Sequence, residues 1–111
     1  MSAVHHELAA GRWQTLTLAE QLGNIGSEVG RATSARARGD VARFEGGFDR
    51  ALELFDLTMA DQRWHGPRLR EIARAREVMC DFLVGDNDFR TTPESLDAYF
   101  LHFAFAARRN R

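Results

Sequence analysis

The sequence predicts an all-α fold, a compact antiparallel four-helix bundle, on three observations. Apolar residues recur at threes and fours along most of the chain, the period of a helix with one buried side. Capping residues, prolines and glycines stand where four such segments begin and end. The connections between segments are only a few residues long, which favours antiparallel neighbours. With 111 residues the chain is read as a single domain, 1–111, in which 1–14 form a flexible or short-helical N-terminal extension.

The first helix is predicted to start after Thr17. Thr17-Leu18-Ala19-Glu20 has the capping-box pattern, a hydroxyl able to accept from a first-turn amide and a carboxylate able to reach back. Leu18, Leu22, Ile25, Val29 and Ala32 then share one side. Gly23, Gly26 and Gly30 break this regular pattern, and each costs the helix roughly 1 kcal/mol relative to alanine. A helix that retains three glycines gains close backbone approach elsewhere, so all three are candidate helix-contact or interface residues. Arg31, Arg36 and Arg38 suit the negative end of the helix dipole, and Gly39 supplies a stop.

Asp40 is placed to cap the second helix. Its apolar stripe is read as Val41, Phe44, Phe48, Leu52, Phe55 and Met59, widened by Leu54 and Leu57. Gly46 and Gly47 are expected to receive the glycines of the first helix. Residues 61–67 read as a turn, with Pro67 opening the third helix, where a missing amide is no loss. That helix carries Leu69, Ile72, Ala73, Met79, Cys80, Phe82 and Leu83 before Gly85. Thr92 caps the fourth helix and Pro93 lies in its first turn; Leu96, Tyr99, Phe100, Phe103 and Ala107 form its inner stripe. Leu101 and Phe105 fall outside that stripe and give a second apolar surface. Four helices of this length cannot cover both sides of every apolar helix. The expected assembly is therefore a homodimer, with Phe103 and Phe105 as further candidate interface residues.

Composition narrows the function classes. Fifteen arginines and no lysine oppose sixteen carboxylates, for a net charge of -1. Such a chain has no general attraction for nucleic acid or anionic lipid, so any such contact needs a local patch. The candidate patch is Arg68, Arg70 and Arg74 with Trp64, whose ring could stack on a base. No apolar run approaches the roughly 20 residues that span a membrane, and the N-terminal stretch lacks the basic start of a signal peptide. One cysteine, Cys80, fits a reducing compartment, and the expected localisation is cytoplasmic.

No pattern of catalytic or metal-ligating residues emerges. His5, His6, His65 and His102 lack the helical spacing that brings metal ligands together, and no cofactor or metal is expected. Cys80 sits near a helix C-terminus, the wrong end to lower a thiol pKa. Glu45, Asp49, Glu53 and Asp56 read as a solvated outer ridge. The outline resembles the compact bundles of small bacterial accessory proteins and of toxin nucleases of the HEPN type. That family carries an arginine and, a few residues on, a histidine in a late helix. Here eleven residues separate Arg90 from His102, and Arg63 stands two before His65, so no catalytic role follows from the resemblance. The expected function is a non-enzymatic protein-interaction or regulatory accessory role with self-association. The alternative is a nucleic-acid-binding accessory protein or a divergent helical-bundle nuclease.

Overall fold

The computed structural model describes the backbone of residues 11–109 and side chains as far as Phe105. A 3-10 turn at Trp13–Thr15 leads into α1 (Leu18–Arg38), α2 (Val41–Met59), α3 (Pro67–Leu83) and α4 (Pro93–Arg109). The ends are set by local chemistry. Thr17 Oγ1 accepts from the Glu20 amide at 3.1 Å, and Glu20 Oε1 accepts from the Thr17 amide at 2.9 Å. Gly39 ends α1 with φ 74°, a left-handed conformation that favours glycine. Asp40 Oδ1 accepts from the Arg43 amide at 3.2 Å and starts α2. Thr92 and Ser95 exchange amide-to-hydroxyl bonds, both 3.0 Å, so a serine takes the usual place of glutamate at the start of α4.

Helix α1 packs against both α2 and α4. Asp61 just beyond α2 meets Gln21, Arg50 meets Glu28 and Gly47 meets Ala32, so α2 runs back along α1. Gly23 faces Ala104 and Gly26 faces Phe100, so α4 also opposes α1. The Arg36 guanidinium, near the end of α1, donates to the Phe82 and Leu83 carbonyls at the end of α3. Helices α1 and α3 therefore run parallel, and the bundle is up-down-up-down. Its core joins Trp13, Leu22, Ile25, Phe55, Ile72, Met79, Leu96 and Phe100, among others.

Two sequence expectations are corrected here. The glycines of α1 do not meet Gly46 and Gly47. A Cβ on Gly47 would lie 3.2 Å from the backbone of Ala32, and one on Gly46 would lie 3.3 Å from Nη1 of Arg50. The α2 stripe is met in part. Leu54 and Phe55 are buried as expected, and Phe44, Phe48, Leu52, Leu57 and Met59 are half-buried against the core, but Val41 is exposed and the buried line also takes in Gly47, Ala51 and Thr58. Gly47 lies where α1 comes closest and Thr58 accepts from the Trp13 indole, so neither is marked by hydrophobicity.

Candidate functional site

Three features could carry a function: a buried polar cluster and two surface grooves. The cluster lies where the 3-10 turn, the start of α1 and the α2–α3 turn meet. Gln21 is fully buried and uses its whole amide. Its Nε2 donates to the Trp13 carbonyl at 2.9 Å and to Asp61 Oδ2 at 3.2 Å, while its Oε1 accepts from Trp64 Nε1 at 2.8 Å. Trp13 Nε1 donates to Thr58 Oγ1 at 2.9 Å. Arg63 binds Asp61 through Nη2 at 2.7 Å and donates from the same nitrogen to the Leu16 carbonyl at 2.7 Å. The hydrogen bonds from the Arg63 side chain hold the Asp61 carboxyl well below its ordinary value of 3.8, at about 2. Every group here is occupied by another, so the cluster fixes chain geometry and presents no reactive atom.

The first groove, about 440 Å³, lies between the second half of α1 and the first half of α4. Gly26, Val29, Gly30, Leu96 and Phe100 make its apolar lining, with Glu94 and Asp97 on one rim. The three glycines of α1 serve different ends. Gly26 admits α4, since a Cβ there would lie 2.5 Å from the Phe100 Cβ; Gly23 makes ordinary contact with Ala104, and Gly30 faces open space. On α4, Leu101 and Phe105 are 43% and 53% exposed. Phe103 turns inward and makes edge contacts with Tyr99 and His102, with ring centroids 5.4 and 5.6 Å apart.

The second groove, about 490 Å³, lies between α1 and α2 and is lined by Ser27, Gly30, Ser34 and four arginines, Arg31, Arg38, Arg43 and Arg50. These arginines lie on two helices, five to nineteen residues apart, and no helical period links one helix's arginines to the other's, so a local pattern does not mark the group. The expected basic patch is not drawn together in the same way. Arg68 and Arg70 are exposed but project about 160° apart around α3 at 100° per residue. The Arg74 guanidinium lies 4.7 Å over the Phe89 ring. Trp64 is half-buried, its indole N–H is taken by Gln21, and the Arg63 guanidinium lies 4.5 Å over its ring.

The remaining candidates have structural surroundings. Burial pushes the Cys80 thiol above its ordinary value, against a smaller opposing effect of Arg76. Glu45, Asp49 and Asp56 are exposed along α2. Asp81 closes the α3–α4 loop, its carboxylate accepting from the amides of Asp88 at 2.8 Å and Phe89 at 3.1 Å. Among the described residues, no three His, Cys, Asp or Glu side chains converge as a metal would require, and no helix is long and apolar enough to cross a membrane. No family model matches the chain, and comparison with curated proteins and with solved structures gives no significant match.

Proposed function

We propose that this chain is a non-enzymatic interaction protein that acts as a symmetric pair, joined through α4 and the groove beside it. The observation that carries the reading is the pairing of an exposed apolar ridge with an apolar recess on one side of the molecule. Leu101 and Phe105, four residues apart, share one side of α4. Glu94 and Asp97, on the groove rim, continue that side towards the helix start. A two-fold axis crossing α4 near its middle brings the ridge of each copy over the recess of the other. Such self-complementarity is what an isologous dimer requires, and an apolar helix in a groove is a recurrent mode of recognition.

Sedimentation equilibrium tests the reading. The expected mass is twice the 12.6 kDa of the chain. Leu101→Glu combined with Phe105→Glu is expected to give a monomer with unchanged helical circular dichroism, because neither side chain belongs to the buried core of the single chain. A wild-type chain that stays monomeric at millimolar concentration overturns the reading.

A further inference from the structure

We propose that the arginine groove between α1 and α2 is a binding site for a ligand built of linked phosphates. Each of its four guanidiniums is held by a neighbouring side chain, one pair of arginines towards each end of the groove. At one end, Glu28 binds Arg31 at 3.2 Å and Arg50 at 3.1 Å. At the other end, Arg38 Nη1 donates to Ser34 Oγ at 2.8 Å and Arg43 Nε contacts Asp40 Oδ2 at 3.3 Å. The ion pairs recorded for these four arginines are to Glu28 and Asp40, and no carboxylate is among the residues lining the groove, on a chain whose net charge is -1. Each guanidinium carries five N–H donors, and the bonds named here use only one or two of them. The guanidiniums are thus held in place along the groove lining, with donors to spare beyond these bonds.

The backbone around the groove makes room for this arrangement. Gly46 leaves space for Arg50, since a Cβ there would press on its Nη1, and Gly30 leaves the floor clear because a Cβ there would meet nothing within 4 Å. Both glycines lie inside helices, where glycine is unfavourable. Glu28 is the most enclosed member, with its side chain 12% accessible, so it anchors Arg31 and Arg50 rather than competing for solvent.

Size and chemistry define the ligand class. Arg31 and Arg38 are seven residues apart on α1, as are Arg43 and Arg50 on α2, so the two pairs stand two helical turns or about 10 Å apart. A single phosphate reaches one pair, whereas two or three linked phosphates reach both. Planar guanidiniums bind phosphate oxygens in bidentate fashion. The lining holds Ser27 and Ser34 hydroxyls but no aromatic ring, so the site grips phosphate and has no platform for a base. An oligophosphate and the backbone of a nucleic-acid strand both present this chemistry.

The test is calorimetric titration of the full chain with inorganic tripolyphosphate, with orthophosphate, and with a short single-stranded oligonucleotide, all at physiological salt. Tripolyphosphate or the oligonucleotide is expected to bind at least about tenfold more tightly than orthophosphate. Arg38→Ala with Arg43→Ala is expected to weaken that binding about tenfold or more through loss of charge-assisted bonds. Arg68→Ala with Arg70→Ala on α3 is expected to leave it within about twofold, because those residues lie outside the groove. Arg38 and Arg43 are both exposed, and circular dichroism verifies that their replacement leaves the helices intact. Tripolyphosphate binding without oligonucleotide binding identifies a free oligophosphate. Oligonucleotide binding with the same arginine dependence identifies a strand backbone. Absence of binding by both, or equal binding by the Arg38/Arg43 variant, overturns the proposal. Subunit mass is read separately, so failure of the α4 dimer and failure of this site are distinguishable.

Discussion

At the scale of single residues, the clearest consequence concerns Asp61 and acid. The residue is buried, and its carboxylate is held ionised by Arg63 and Gln21. A carboxyl whose folded pKa is depressed stabilises the fold fully above its unfolded value. That contribution declines as the pH falls from 3.8 towards about 2. Thermal melts followed by circular dichroism should therefore lose stability across that interval, and Asp61→Asn should flatten the loss while lowering stability at neutral pH. Gln21→Leu should cost about 3 kcal/mol in denaturant melts, since it strands the Trp64 N–H, the Trp13 carbonyl and part of Asp61. The sequence marks residues 61–67 as a turn, but nothing in the periodicity marks Gln21 or Trp13. Gln21 occupies a helical position next to Leu22, and Trp13 precedes the first capping box. Their burial arises from residues about forty positions later, which a local pattern does not contain.

At the scale of elements, the caps were the most legible part of the sequence. Thr17, Asp40, Pro67 and Thr92 all act at helix starts because capping depends on neighbours in the chain. Which helix covers which face was less legible, since periodicity identifies an apolar side without identifying its neighbour. The glycines of α1 show the difference, and alanine replacements separate them. Gly26→Ala should destabilise by about 1–3 kcal/mol because its Cβ would collide with the Phe100 side chain. Gly30→Ala should stabilise by about 0.5–1 kcal/mol, since the helix gains propensity and the added methyl meets nothing. Urea denaturation of the two variants measures these opposite signs. Two destabilised variants of equal magnitude would contradict the distinction.

At the scale of the whole molecule, the radius of gyration is 13.5 Å, close to the roughly 13 Å of a compact domain of this length. The bundle is nevertheless open along both flanks of α4. Besides the groove against α1, a recess of about 270 Å³ lies towards α3, lined by Ala75, Val78, Leu96 and Tyr99 among others. The proposed pairing through α4 would couple the stability of the fold to protein concentration. A tenfold increase in concentration should raise the melting temperature by about 3 °C if dissociation accompanies unfolding. A melting temperature independent of concentration would count against a dimer that unfolds in this way. The exposed ridge was legible in the sequence as a second apolar side of the last helix. The arginine groove was not, because it exists only once α1 and α2 lie side by side.

The bond from Trp13 to Thr58 spans forty-five positions and has a consequence for synthesis. The indole leaves the ribosome long before the hydroxyl oxygen that accepts its N–H, and the Asp61 carboxylate follows later still. Until then a large apolar ring has no pocket, even though α1 behind it is already complete. A nascent chain halted within α2 before Thr58 thus carries this indole without the acceptor that holds it in the finished fold.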